Sequence, residues 1–354
     1  LNEGKLWPEP LIQFNPTFEK GLSIDSLVKD GIVDSRLNQI FKGYDLYRHQ
    51  VEAIKKGVEE ESFIVTSGTG SGKSLTFLAT IFSDLLKNNY PKGIKAILVY
   101  PMNALINSQE EEIKKYAENF EENSNGTKFP LSFAKYTGQE NNAERIEVRD
   151  NPPDIILTNY MMLELIMTRA SENKMRESIF SSLKYLIFDE LHTYRGRQGA
   201  DVSLLIRRIQ ASTQNDVICI GTSATMASGG TLSSQKIAVA NVGKQIFDKE
   251  FEVSQIIGEY LENTTASNEV DIVGLKKSLD NPINIENNEE QYISHPIAIW
   301  LENEIALNKL PDGNIQRAKP RTLSQIAEAL VLKTNSNISL CKDQLVQFLI
   351  WTEA

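Results

Sequence analysis

Residues 67–74 read Ser-Gly-Thr-Gly-Ser-Gly-Lys-Ser, directly after the apolar run Phe63–Thr66 and directly before a stretch in which Leu78, Ile81, Phe82 and Leu85 repeat at helical spacing. A glycine-rich turn from a buried strand into a helix is a demanding piece of geometry, and few folds accept it. Gly68, Gly70 and Gly72 let successive backbone N–H groups curl around phosphate oxygens, and the helix N-terminus adds its partial positive charge. With Thr69 and Ser71 completing the loop, Lys73 is placed to reach the β- and γ-phosphates of a nucleotide, and the Ser74 hydroxyl to coordinate Mg²⁺. The strict form of this phosphate-binding loop has glycine at the first position, where this chain has Ser67. The bland alternative is a Gly/Ser turn followed by an incidental lysine.

Such a loop needs an acidic partner on a neighbouring strand. The run Lys184–Phe188 ends in Asp189-Glu190-Leu191-His192. Carboxylates at strand C-termini lie where ligands bind in open parallel sheets. Asp189 is therefore the candidate to hold Mg²⁺ through water, and Glu190 to orient and deprotonate an attacking water. Alone, a strand ending in an acidic turn is common; with the loop upstream, the two form the halves of one metal site.

The rest of residues 47–250 supports this organisation. Apolar runs at Phe63–Thr66, Ala96–Tyr100, Leu131–Lys135, Asp154–Thr158, Tyr185–Asp189 and Val217–Gly221 alternate with amphipathic stretches such as Val202, Leu205, Ile206 and Ile209. Strands alternating with helices predict an α/β fold with a mostly parallel sheet. Residues 1–46, broken by Pro8, Pro10 and Pro16, are expected to form an N-terminal strap packed on the main domain, with Trp7, Phe14 and Phe18 as apolar anchors. Residues 251–296 lose the rhythm, and Asn281–Gln291 reads as a solvated loop. Helical patterns follow at Pro296–Leu307, Thr322–Leu332 and Ser339–Thr352, the second opened by a Thr322/Gln325 capping box. Residues 251–354 are thus expected to be a helical accessory region or insertion, with a winged-helix or helix-turn-helix module as the alternative.

At this point the sequence resembles a superfamily 2 helicase of the DEAD/DEAH type, its box spelled Asp-Glu-Leu-His. The resemblance implies a RecA-like P-loop NTPase lobe, the first of two, with ATP and Mg²⁺ as cofactors. Thr222-Ser223-Ala224-Thr225 matches the Ser-Ala-Thr motif that couples hydrolysis to movement, which gives Ser223, Ala224 and Thr225 that role. His192 would link the box to it. Leu46-Tyr47-Arg48-His49-Gln50 resembles the adenine-reading element, with Tyr47 and Gln50 at the base; no role is carried over to Arg48. Tyr100-Pro101-Met102-Asn103-Ala104-Leu105, Tyr136-Thr137-Gly138 and Leu157-Thr158-Asn159-Tyr160 resemble the motifs that contact nucleic acid, implicating Pro101, Asn103, Thr137, Gly138, Thr158 and Asn159. The longer run DELHTYRGRQGADVSLLIRR, Asp189–Arg208, is similar to DNA helicases of the mitomycin-repair type and to large helicases of phage-defence islands. No Gln-x-x-Gly-Arg-x-x-Arg element with an arginine finger occurs.

Each of these residues has a plainer reading. Thr and Asn after strands are turn formers and helix caps, though a capped helix N-terminus is also a phosphate site. Arg207 and Arg208 fit the solvated face of a helix, while Arg195 and Arg197 are expected in a loop beside the acidic box. Met161, Met162 and Met167 read as core, and His295 before Pro296 as structural.

Charge limits the partners. The 37 Lys and Arg against 47 Asp and Glu leave −10, which disfavours indiscriminate polyanion binding, so nucleic acid must be held by a local patch or by backbone amides. The two cysteines, Cys219 and Cys341, form no framework, and a reducing, cytoplasmic location is expected. No apolar run is long enough for a membrane span. The chain starts at Leu1 and stops in mid-pattern at Ala354, and a fragment of a longer protein is expected. The resulting expectation is an ATP-dependent helicase or translocase on DNA, single-stranded or at a junction, in repair or phage defence. It would work with a second RecA-like lobe beyond this chain and with other defence or repair proteins. The alternatives are an RNA helicase and a nucleotide-gated binding module in a multi-protein complex.

Overall fold

A computed structural model describes residues 9–353 apart from 69, 225–230, 282–288 and 311–313. The chain forms two compact units, residues 20–259 and residues 1–19 with 260–354.

The larger unit is built on seven strands: β1 (Phe63–Thr66), β2 (Ala96–Val99), β3 (Phe133–Tyr136), β4 (Ile155–Thr158), β5 (Tyr185–Phe188), β6 (Ile218–Ser223) and β7 (Ile256–Gly258). Their spatial order is β7-β1-β6-β5-β2-β4-β3, and every neighbouring pair is parallel. A parallel sheet is covered on both faces, so its strands read as unbroken apolar runs, as Phe-Ile-Val, Ala-Ile-Leu-Val and Tyr-Leu-Ile-Phe do here. Side chains alternate between two cores. Phe63, Val65, Leu98, Ile187 and Ile220 face one, with helices α1 (Arg48–Val58), α2 (Lys73–Lys87) and α3 (Asn103–Asn123). Ile64, Ile97, Val99, Leu186, Phe188 and Cys219 face the other, with α4 (Tyr160–Thr168), α5 (Asn173–Ser182), α6 (Gly196–Ser212) and α7 (Leu232–Phe247). Packing is close enough to require glycine: a Cβ on Gly243 of α7 would stand 2.4 Å from Ile64 Cδ1. The RecA-like α/β architecture expected from the sequence is therefore present, with the sheet wholly parallel.

Two boundaries differ from the expectation. Residues 20–46 are an integral part of the lobe rather than a strap laid on it, because Ile24, Leu27, Leu37, Ile40, Phe41 and Leu46 are buried in the first core. The lobe also runs past residue 250, since β7 pairs with β1 and extends the sheet by one strand. That strand lies where the sequence rhythm fails: three residues are too few to show a period.

The smaller unit has its own core of Leu275, Leu279, Ile297, Trp300, Ile326, Leu330, Leu345 and Phe348. Leu11–Ile12 pairs antiparallel with Arg321–Thr322, Thr17–Phe18 with Leu261–Glu262, and Leu307–Lys309 with Ile315–Arg317. The Pro296–Leu307 pattern is an α-helix over Pro296–Trp300 that widens to a π-helix over Leu301–Ala306. His295 caps it, Nδ1 accepting from Ile297 N–H at 3.2 Å. The Thr322/Gln325 capping box opens the helix Leu323–Thr334. A three-residue turn, with Asn335 left-handed at φ 54°, leads to Ile338–Glu353. The exposed side of that last helix carries Ile338, Val346 and Ile350 rather than a basic row. Of the expected loop Asn281–Gln291, residues 282–288 lie outside the described residues, and Glu289–Gln291 belong to a short helix, Glu289–Ser294. Trp7 and Pro8 also lie outside them. Among the described residues no helix is long and apolar enough to cross a membrane.

Candidate nucleotide site

Because all seven strands run the same way, every chain segment that leaves a strand C-terminus emerges at one edge of the sheet. The strand order decides which segments meet. β6 lies between β1, which carries the glycine-rich loop, and β5, which carries the acidic box.

At the end of β1, Ser67 N–H donates to Ser223 O at 3.2 Å and extends the ladder into the loop. Gly70 and Gly72 adopt φ of 78° and 68°, the left-handed region that lets consecutive N–H groups turn inward. Ser67 and Ser71 hydroxyls meet at 2.6 Å inside the turn. Ser67 thus ties the loop to itself at the position where the strict motif has glycine. Lys73 opens α2, its Nζ donating to Ser67 O at 2.9 Å and Gly68 O at 3.1 Å, and Ser74 follows it on the first turn. Thr69 lies outside the described residues.

Tyr47 and Gln50 sit at the start of α1. Gln50 Oε1 accepts from Tyr47 N–H at 2.8 Å, and Gln50 Nε2 donates to Gly72 O at 3.0 Å and Ser71 O at 3.3 Å. His49, fully buried, places Nε2 3.0 Å from Ser71 O, and burial holds its imidazole below the ordinary value. Both side chains brace the glycine-rich loop from behind. His49 received no role from the sequence.

At the end of β5, Asp189 N–H donates to Val99 O at 2.9 Å, and Glu190 turns sharply with φ 54°, a left-handed conformation uncommon outside glycine. Thr222 Oγ1 donates to Asp189 Oδ1 and accepts from Glu190 N–H at 3.1 Å. Glu190 Oε2 accepts from Ala224 N–H at 3.3 Å and lies 3.2 Å from His192 Nδ1, which is also 3.3 Å from Ser223 Oγ. Burial pushes the Asp189 carboxyl above its ordinary value; the Thr222 hydrogen bond and the Lys73 charge oppose this, while the Glu190 charge adds to it. The acidic box and the Ser-Ala-Thr segment are thus locked together by Thr222, Ser223 and Ala224. Thr225 lies outside the described residues.

A further carboxylate escaped the sequence reading. Glu259, directly after β7, accepts from Gly68 N–H at 3.1 Å through Oε2. Without β7 in view, no sequence signal placed residue 259 near residue 68.

The candidate nucleic-acid residues stand at the ends of β2, β3 and β4, and their polar groups have intramolecular partners. Glu140 accepts from Thr137 N–H at 3.0 Å, Thr137 Oγ1 at 2.6 Å and Gly138 N–H at 2.8 Å. Burial pushes Glu140 up, but these hydrogen bonds outweigh it and hold the carboxyl below its ordinary value. Thr158 is fully buried and donates to Tyr136 O at 2.6 Å, so its side chain does not face a ligand, contrary to expectation. Asn159 caps α4 through Met162 N–H at 2.9 Å and donates to Asn103 Oδ1 at 2.9 Å. Pro101 is half-buried beside Met102, which is 60% exposed. Met162 is core as expected, while Met161 is 55% exposed. Arg207 pairs with Asp248 and Arg208 with Glu164, as a solvated helix face would.

Comparison with known proteins agrees with this geometry. The chain is 29% identical over 216 residues to an uncharacterized ATP-dependent helicase of Methanocaldococcus jannaschii, covering 60% of this chain and 29% of that protein. It is 26% identical to Druantia protein DruE of Escherichia coli, covering 62% of this chain and 18% of that one. The chain therefore spans less than a third of the length of these relatives. Among solved structures, the helicase MrfA bound to DNA superposes with a TM-score of 0.56 at 23% identity, over 70% of this chain and 30% of that one, a likeness of fold. The profile of the DEAD/DEAH box helicases matches residues 47–231. That span exceeds half the chain and encloses the loop of β1, the box of β5 and the bridge on β6, so the chain belongs to the DEAD/DEAH box helicase family.

Proposed function

We propose that this chain is the ATP-binding lobe of an ATP-dependent DNA helicase or translocase acting in DNA repair or phage defence. The observation that carries the reading is β6, whose last residues join Asp189, Glu190 and His192 to one another beside the glycine-rich loop. In this reading the phosphates of ATP rest on residues 68–74, with Lys73 on the β- and γ-phosphates. Ser74 and Asp189 fit Mg²⁺, which takes one or two protein oxygens and otherwise keeps water and phosphate. Bound there, the ion would neutralise charge on the transferring phosphate.

Glu190 orients and deprotonates the attacking water. His192 passes the state of the site to Ser223 of the Ser-Ala-Thr segment. Tyr47 and Gln50 lie at the adenine base, and Gln50 also braces the loop. Nucleic acid runs along the ends of β2, β3 and β4, over Pro101, Asn103, Thr137, Gly138 and Asn159. The DNA bound in the MrfA structure supports DNA as the nucleic acid, and the two settings rest on the resemblance carried by Asp189–Arg208.

Turnover in this family reading needs an arginine from a second lobe, a contribution of about 10³–10⁵ in rate in related P-loop systems. The 354-residue chain alone is then a Mg-ATP binder, a poor ATPase and no unwinding enzyme. The test is ATPase stimulation of the full-length protein by single-stranded DNA and by RNA. DNA should stimulate more; equal or stronger stimulation by RNA would replace the DNA reading.

A further inference from the structure

The strand that separates the two halves of the nucleotide site does more than space them. Its pleat sends alternate side chains to opposite faces. Ile218 and Ile220 lie in the core shared with α1 to α3, and Cys219 in the other. Thr222 continues the first series and Ser223 the second. In register, Gly221 stands opposite Phe188 and Thr222 opposite Val65, so Thr222 is one step beyond the last β5 pair, level with Asp189. Gly221 lets the box pack closely, since a Cβ there would stand 2.3 Å from Leu191 Cδ1 and would have to displace that side chain.

Thr222 is fully buried, and its hydroxyl makes two bonds that fix each other's direction. Because a lone pair accepts the Glu190 N–H at 3.1 Å, the proton is left to point at Asp189 Oδ1. Chained hydrogen bonds of this kind reinforce one another in a low-dielectric site. The same hydroxyl thereby orients the carboxylate assigned to Mg²⁺ and anchors the main chain of the residue assigned to the water, which is held at φ 54°. Ser223 cannot substitute, since its hydroxyl is on the opposite face at His192.

We infer that Thr222 is a positioning residue whose hydroxyl sets the Asp189 carboxylate for Mg²⁺ and holds Glu190 in its left-handed turn. The inference rests on the nucleotide-site reading above. It separates two jobs on one strand: Thr222 serves the metal and the base, and Ser223 serves the coupling through His192.

The experiment measures the affinity of a fluorescent ATP analogue for the chain in Mg²⁺ and in EDTA, for wild type, Thr222→Val, Thr222→Ala and Thr222→Ser, with a thermal melt of each. In wild type, Mg²⁺ should tighten binding. The Val variant, isosteric but without the hydroxyl, should lose at least tenfold of that tightening while its affinity in EDTA stays within about twofold. The Ser variant should restore it, a rescue that a purely packing role would not show. If the Val variant does not fold, the Ala variant answers the same question. Undiminished Mg²⁺ tightening without the hydroxyl, or an equal loss in EDTA, overturns the inference and leaves the nucleotide site standing. Absence of Mg²⁺-dependent binding in folded wild type overturns both.

Discussion

The ends of β1, β5 and β6 and the ends of β2, β3 and β4 lie along the same edge of one sheet, yet they use their polar groups differently. On the first side, strained or inward-turned backbone is held by partners distant in sequence: Gly72 by Gln50, Glu190 by Thr222 and Ala224. On the second side, partners are mostly local or structural. Glu140 satisfies Thr137 and Gly138, Tyr136 O takes the Thr158 hydroxyl, and Asn159 caps α4. The contrast suggests a division of labour: residues of the first side should register in chemistry with little effect on stability, and those of the second in stability first.

Five substitutions probe that division. Glu190→Gln should lower turnover of the full-length protein by about 10²–10⁴, the usual worth of a positioned general base, with a thermal midpoint close to wild type. Unchanged turnover would remove Glu190 from its role. Asn159→Ala removes a helix cap and the tie to Asn103, and should destabilise the lobe by about 1–2 kcal/mol without altering ATP affinity. Denaturant titration measures it, and a loss of ATP binding without a loss of stability would dissolve the contrast.

Glu140→Gln should cost about 1 kcal/mol at neutral pH. The sign with pH follows from its lowered value. The carboxylate contributes stability above the ordinary value of 4.5 and loses it as pH falls through the lower folded value. Wild type and variant should therefore converge in stability on acidification, and a gap that widens would contradict the hydrogen-bond account. Arg207→Ala and Arg208→Ala, each breaking an exposed ion pair, should cost roughly 0.2–1 kcal/mol, less at high salt. A larger effect on nucleic-acid affinity than on stability would contradict the reading of these residues as a solvated helix face.

The nucleotide side was the more legible in sequence because its chemistry depends on unusual local strings. Glycine at alternate positions before lysine is rare enough to stand out, and it gives meaning to two acids after an apolar run, which alone are common. What stayed hidden was adjacency. Thr222 was visible as part of a motif, but its bond to Asp189 follows from β6 lying beside β5, which strand order alone decides. Glu259 was hidden by the brevity of β7, Ile256–Gly258. Residues 20–46 looked irregular because their helices are short, although Leu37, Ile40 and Phe41 repeat at helical spacing and gave a usable signal. On the nucleic-acid side the motifs were recognisable, but Thr158 shows the limit of matching. A threonine at a strand end is as readily a buried donor to the next strand as a ligand contact.

The central claim is that residues 68–74 form a working phosphate site in this lobe. Isothermal titration of the chain with Mg-ATP, beside Lys73→Ala, tests it most directly. The account predicts saturable one-to-one binding in wild type and a loss of about 1.5–3 kcal/mol in the variant, the worth of a charge-assisted contact. Equal affinity of the two proteins, or no saturable binding by folded wild type, would contradict it.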